Sequence, residues 1–249
     1  MKEDEQTDFG FTQVTAREKT ERVREVFDSV ASNYDLMNDL MSFGLHRFWK
    51  RFMVASAKLR PGAHVLDLAG GTGDIARLLT KSLNGNGTVV LTDINQPMLM
   101  IGRDRCIDEN VTENIVFAQA DAQQLPFGNF EFDLVTIAFG LRNVTDKGLA
   151  LKEMFRVLKP GGKALILEFS KLEIDSLSNV YDKFSFEILP RLGEAVAGDG
   201  DSYRYLAESI RTHPDQLSLM TMMENAGFER CQYRNILGGV VAMHEGMRF

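Results

Sequence analysis

Val65-Leu66-Asp67-Leu68-Ala69-Gly70-Gly71-Thr72-Gly73-Asp74 is the stretch that decides how this 249-residue chain folds. His64 to Leu68 is a short apolar run of strand length, and a helical pattern continues from the glycines through Leu79. Glycines at a strand-to-helix turn permit backbone angles closed to other residues and let a ligand approach the main chain. Gly71, Gly73 and Ala76 also satisfy the dinucleotide pattern G-x-G-x-x-A, so the pattern by itself does not name the ligand.

The same alternation continues downstream. Thr88 to Thr92, Ile115 to Ala118, Leu134 to Ile137 and Ala164 to Phe169 read as strands. Helices are expected near Pro97, a favoured first-turn residue, and from Lys147 to Leu158, stopping at Lys159-Pro160-Gly161-Gly162. Strands separated by helices predict an α/β fold with a doubly wound, mostly parallel, seven-stranded sheet of Rossmann-like type. Phe228 to Asn235 and Val240 to His244 flank Gly238-Gly239 as a hairpin would, giving an antiparallel C-terminal strand. Arg17 to Lys58 reads as helix with a break near Ser42 to Gly44, and Asp175 to Asn225 is too long for one crossover. The prediction is one domain, 1–249, whose N-terminal helices (about 15–60) and helical insertion (172–226) form a cap.

A formal net charge of −7 argues against broad electrostatic binding to nucleic acid or anionic lipid, with one local exception at His46 to Phe52. No run reaches the roughly 18 to 20 apolar residues that cross a bilayer, and Met1 to Thr7 is unlike a secretory signal. Two cysteines, Cys106 and Cys231, provide no disulfide framework and suit a reducing cytoplasm. His46-Arg47-Phe48-Trp49-Lys50-Arg51-Phe52 reads first as an amphipathic helix with its aromatics inward; its cation–aromatic mixture also suits a membrane interface.

Charge separates the ligand readings. A pyrophosphate wants backbone donors and a positive helix end, and Asp67 at the mouth of the turn repels it. S-adenosylmethionine carries an ammonium and a sulfonium instead, both favoured beside a carboxylate. Asp93 ends the next strand, where an acid accepts two ribose hydroxyls, and Asp121-Ala122 after the third faces the adenine edge. The bland reading of Asp93 and Asp121 is solvated loop acids; their register after successive strands favours a site. The expectation is a class I methyltransferase holding S-adenosylmethionine at Asp67, Gly70, Gly71, Gly73, Asp93, Asp121 and Ala122, with no metal. The acceptor side is Ala138-Phe139-Gly140-Leu141-Arg142-Asn143-Val144, which has no Asn/Asp-Pro-Pro-aromatic sequence for nucleobase or amide nitrogens. Arg142-Asn143 supplies a cation and an amide, suited to an acceptor that becomes anionic, although a loop arginine is as often merely solvated.

From Val26 onward the chain resembles the ubiquinone/menaquinone biosynthesis C-methyltransferases. The resemblance is carried by Val30-Ala31-Ser32-Asn33-Tyr34-Asp35 through Trp49, Leu66 to Asp74, Phe139 to Lys147, Arg156 to Gly162 and Leu167 to Lys171. Asp201-Ser202-Tyr203-Arg204-Tyr205-Leu206-Ala207-Glu208-Ser209-Ile210 is its most specific stretch. It implies ring-carbon methylation of a polyprenylated quinol: demethylmenaquinol, 2-methoxy-6-polyprenyl-1,4-benzoquinol, or both. It further implies cofactor contacts at Thr72, Asp93, Asp121, Ala122 and Ala138, where members often have Ser, and places Tyr34, Arg142 and Asn143 around the reacting hydroxyl.

A phenolic pKa is about 10, so such a site must stabilise the phenolate or take its proton. On this reading Arg142, never deprotonated, stabilises the anion, and the proton leaves through water held by Tyr34 and Asn143. His64, His213 and His244 read as packing or turn residues rather than bases; His46 is the less easily set aside. Phe184, Phe186, Ile188, Leu189, Trp49 and Phe52 are candidates for an isoprenoid path, although core burial is the default for such residues. The protein is expected in the cytoplasm, peripheral at most to the cytoplasmic face of the inner membrane, with room for a quinone-biosynthesis assembly and a homodimer. The rivals are an O-methyltransferase of a small phenol, a non-catalytic binding subunit of a quinone assembly, and a nicotinamide dehydrogenase.

Overall fold

The computed structural model describes residues 5–31, 34–173 and 183–249. Ser32 and Asn33 of the family-like stretch, part of the predicted insertion, and the Phe184 and Leu189 side chains lie outside the described residues. The chain opens with an antiparallel hairpin, β1 (Gln6–Phe9) and β2 (Thr12–Thr15), followed by α1 (Ala16–Val30), α2 (Tyr34–Ser42) and α3 (His46–Ala57). Then come β3 (Ala63–Leu68), α4 (Asp74–Leu83), β4 (Gly87–Asp93), α5 (Gln96–Asp108), β5 (Ile115–Gln119), β6 (Phe132–Ala138), α6 (Lys147–Val157) and β7 (Leu158–Phe169). Helices α7 (Leu189–Ala197), α8 (Gly200–Thr212) and α9 (Gln216–Asn225) precede β8 (Glu229–Ile236) and β9 (Val241–Met247).

The seven-stranded sheet has the order β5-β4-β3-β6-β7-β9-β8, with β9 antiparallel to both neighbours and the other pairs parallel. This is the doubly wound sheet with one reversed C-terminal strand that the alternation predicts. Its strand order changes direction between β3 and β6, and in such sheets ligands bind beyond the carboxyl ends at that point. The central strands are buried on both faces, as parallel sheets require. Val65 joins the core beneath α3 and α4, and Leu66 and Leu68 join the core beneath α6 and α9. Strand alternation therefore turns Asp67 to the Val65 side, toward α4.

Two boundaries differ from expectation. The β1–β2 hairpin has no counterpart in the sequence reading, because its strands are four residues long and mostly exposed; Phe9 is anchored by stacking on distant Tyr205 at 4.2 Å. Strand β7 begins at Leu158, not Ala164, since Leu158 pairs with Phe132 before a register shift carries the strand past Gly161 (φ +81°).

The turn after β3 is held against the turn after β6. Ala69 sits at φ +47°, and a Cβ on Gly140 would lie 2.6 Å from the Ala69 Cβ. Gly140→Ala is therefore expected to cost about 1–3 kcal/mol as an overpacked contact. Ala69→Gly added to it removes both the colliding atom and the left-handed strain, worth about 1 kcal/mol or more. Urea unfolding should show the single variant destabilised and the double variant near wild type. Equal loss in both would refute this packing.

Candidate active site

Beyond the carboxyl ends of β3, β4 and β6 lies a cavity of about 270 Å³. Gly71, Asp93, Asp121 and Ala122 line it, and so do Tyr34 and Asn143. Val23 and Phe27 of α1, Leu68, Met98 and Phe139 add apolar lining. Of the residues expected from sequence, Asp67, Gly70, Thr72, Gly73, Ala138 and Arg142 do not line it.

The glycine turn is built by local rules. Gly71 (φ +52°) and Gly73 (φ +81°) take left-handed angles, and the Gly73 N–H donates to the Gly70 carbonyl at 2.9 Å. Gly73 is also the N-cap residue of α4 and supplies no side chain, so the helix's first N–H groups face the turn. Asp67 lies directly behind, 1% exposed. Its Oδ1 accepts from the Thr136 hydroxyl at 2.7 Å across the β3–β6 pair, while Oδ2 is buried with no hydrogen-bond partner among the described residues. A Cβ on Gly70 would come within 2.8 Å of that Oδ2, so only glycine leaves this oxygen open toward the turn. Burial pushes the Asp67 carboxyl up to about 7, against the opposing hydrogen bond from Thr136.

Asp93, at the end of β4, is likewise raised by burial, to about 6, although the N–H groups of Asn95 and Gly71 bind its Oδ1 and Oδ2 at 2.8 Å each. Each of these oxygens keeps a lone pair for a further donor. Asp121 accepts from the backbone and side chain of Gln123.

A short 3₁₀ turn, Leu141–Asn143, follows β6. Arg142 is 5% exposed and paired with the buried Glu168 of β7 at 2.9 Å, and it also donates to the Phe139 carbonyl. Its guanidinium lies 5.6 Å from the centre of the Phe169 ring. Asn143 accepts from the Tyr205 hydroxyl at 3.1 Å, which fixes how its amide faces the cavity.

Helix α1 forms the outer wall, a role the sequence reading divided between the N-terminal helices and the insertion. No described residue of 172–226 lines the cavity; Tyr205 stands behind Asn143 instead. The wall is tied down at both ends, by Asn95 Nδ2 to Asp28 at 2.7 Å and by Thr20 with Thr145 at 3.2 Å. Lys19, 2% exposed, donates to the Val144 carbonyl at 3.4 Å, and burial lowers its ammonium to about 7. Thr136, Asn95, Glu168 and Tyr205 escaped the sequence reading. Thr136, a polar residue inside an apolar strand, and Asn95, an N-cap residue before Pro97, carried the only visible signals.

The tail candidates lie elsewhere. Trp49 is 2% exposed in the core against Phe139 and Phe169, Phe186 stacks on Phe11, and Ile188 is exposed; neither these nor Phe52 lines the cavity. No histidine lines it either. His64 bonds the Glu131 carbonyl, His46 pairs with Asp39, His244 bonds the Gln216 carbonyl, and His213 is buried at the end of α8.

This fold and cradle define a class I methyltransferase. An S-adenosylmethionine-dependent methyltransferase from Aquifex aeolicus superposes with a TM-score of 0.63 at 17% identity, covering 86% of this chain and 98% of that one. Phosphoethanolamine N-methyltransferase 2 of Haemonchus contortus, solved with S-adenosylmethionine, gives 0.60 at 14% identity, covering 80% of this chain and 52% of that one. The chain belongs to the ubiE/COQ5 methyltransferase family, whose pattern matches residues 15–248. It is similar to the ubiquinone/menaquinone biosynthesis C-methyltransferases UbiE of Cellvibrio japonicus, 56% identical over 100% of both chains, and of Proteus mirabilis, 56% identical over 98% of both.

The raised Asp67 pKa has two consequences of opposite sign. A carboxyl whose folded pKa lies above its unfolded value stabilises the fold most at low pH, and that contribution is lost as pH rises from about 4 through about 7. A cationic ligand prefers the ionised form, so S-adenosylmethionine affinity is expected to rise about tenfold between pH 6 and 8. Calorimetric titration should show that rise in the wild type and a flat, weaker profile in Asp67→Asn. An unchanged slope in the variant would rule out Asp67 as the titrating group.

Proposed function

We propose that this enzyme methylates a ring carbon of a polyprenylated quinol with S-adenosylmethionine, taking demethylmenaquinol to menaquinol, 2-methoxy-6-polyprenyl-1,4-benzoquinol to its 5-methyl product, or both. The observation that carries the reading is one cavity lined together by Asp93, Asp121 and Ala122, by Tyr34 and Asn143, and by apolar side chains. A flat apolar ring with polar oxygens suits that mixed lining, and the relatives named for quinone biosynthesis support the substrate class. Cytoplasmic location, peripheral membrane contact, a homodimer and a place in a quinone-biosynthesis assembly belong to the same proposal.

The residues present fit the donor. Asp67 Oδ2 is a buried oxygen without a hydrogen-bond partner among the described residues, beside a glycine that leaves it open, and Gly71 brings main chain to the cavity. Gly70, Thr72 and Gly73 shape the turn, Ala138 at the end of β6 offers its main chain to the donor, and Asp93 offers its free lone pairs to the ribose. When bound, S-adenosylmethionine supplies an electrophilic methyl group.

The chain's own part is to make the ring nucleophilic. A quinol hydroxyl ionises near pH 10, and donors facing its oxygen lower that value. Asn143, with its oxygen engaged by Tyr205, has its Nδ2 to donate, and the Tyr34 hydroxyl lines the same cavity. Arg142 now takes a different part from the one its sequence position suggested. With Glu168 at 2.9 Å it presents little net charge to a quinolate; instead the pair locks the turn that carries Asn143. Arg142 is therefore a positioning residue.

Asn143→Ala is expected to lower turnover about 100-fold, as removal of an oxyanion donor does, with S-adenosylmethionine affinity unchanged and a loss of about 1–3 kcal/mol of stability from the Tyr205 hydroxyl left without its acceptor. Arg142→Ala should lose turnover and also about 3–5 kcal/mol of stability, because it leaves Glu168 buried and unpaired. Thermal melts alongside steady-state kinetics separate the two roles; full turnover in either variant would contradict its assignment. For the reaction itself, labelled S-adenosylmethionine supplied with each reduced quinol should give a ring C-methyl product by mass and NMR. A methoxy product, or no consumption of donor, would overturn the proposal.

A further inference from the structure

From Leu40 to Leu66 the chain contains no Asp or Glu, yet carries Arg47, Lys50, Arg51, Lys58 and Arg60. That run stands out in a protein with 35 acidic residues and a net charge of −7. It spans the corner between α2 and α3 and all of α3. The fold sorts the run by face. Trp49 and Met53 enter the core, and Lys50 is buried against Asp74 at 2.7 Å. Arg47, Phe48, Arg51, Ala55 and Lys58 are exposed at three- and four-residue spacings, so they share the outer face of α3 and its end. Phe48 is 63% exposed, and beside it at the corner Phe43 is 76% and Leu45 40% exposed. Arg47 is paired with Asp39 of α2 at 2.7 Å, so Arg51 and Lys58 supply the cationic character of this face. An exposed cationic face with protruding apolar side chains is the composition that seats in the headgroup layer of an anionic membrane.

The corner also stands in useful relation to the cavity. Tyr34, which lines the cavity, opens α2, and the corner closes it; nine residues at about 1.5 Å each put the two ends roughly 13 Å apart.

We infer that the α2–α3 corner and the outer face of α3 form a docking surface for anionic phospholipid, with Phe48, Phe43 and Leu45 inserted among headgroups held by Arg51 and Lys58. This names the surface for the membrane contact in the proposed function and rests on that reading.

The test is co-sedimentation of the full chain with vesicles containing phosphatidylglycerol and with vesicles of phosphatidylcholine alone. Wild type should partition to the former, lose binding at high salt, and ignore the latter. The double variant Phe48→Ser, Arg51→Gln should bind about tenfold more weakly or worse. Its melting temperature and its turnover of a short-tailed, water-soluble quinol should be unchanged. Wild-type binding to neither vesicle, or undiminished binding by the variant, overturns the inference. So does a change of oligomeric state in the variant without lipid, which makes the corner a contact between copies of this chain. A wild type that binds vesicles but methylates no quinol sinks the proposed reaction and leaves the docking surface standing.

Discussion

A carboxylate held out of water at the end of β3 is the constraint on which the rest of this site depends. Asp67 is 1% exposed, and the Thr136 hydroxyl and the Ala76 N–H only partly compensate for its lost hydration. Its Oδ2 has no hydrogen-bond partner among the described residues and lies beside Gly70. An isolated buried charge is costly unless paired or hydrogen-bonded, so this position is stable with a proton or with a cation close by. The glycines follow from it. Any side chain at Gly70 would meet the carboxylate, and Gly71 must turn its N–H toward Asp93.

The remaining parts hold that arrangement against solvent. Asn95 is the hub of the outer wall: its backbone N–H binds Asp93, its side-chain oxygen caps α5 through Met98, and its amide holds Asp28 of α1. One residue thus couples a cofactor-side carboxylate to the helix that closes the cavity. Beyond β6, the buried Arg142–Glu168 pair does the corresponding work, joining the turn after β6 to the end of β7. Polar groups of this kind are expensive to bury singly and rigid when satisfied together.

Much of this was legible in the sequence. The strands are apolar runs bounded by turn residues, so the doubly wound sheet and the hairpin around Gly238-Gly239 could be read from periodicity. Asp67 and Asp93 were visible as acids at the ends of successive strands. What was not legible depends on partners far along the chain. The burial of Arg142 is set by Glu168 on a neighbouring strand, and no local pattern distinguishes it from a solvated loop arginine. The β1–β2 hairpin is too short to show a period and rests on Tyr205. Helix α1 closes the cavity through Asn95 and Thr145, contacts that amphipathicity does not reveal. Trp49 illustrates the opposite error: an aromatic that composition offers to a ligand is taken by the core.

The donor end of this site hinges on the ionisation of Asp67. Carbon-detected NMR of the aspartate carboxyl carbons, titrated without and with S-adenosylmethionine, reads it directly. The structure predicts that Asp67 titrates near pH 7 alone and falls well below that when the cationic donor is bound. An Asp67 that titrates near 4 in the free protein, or whose pKa does not move on binding, would contradict the central claim.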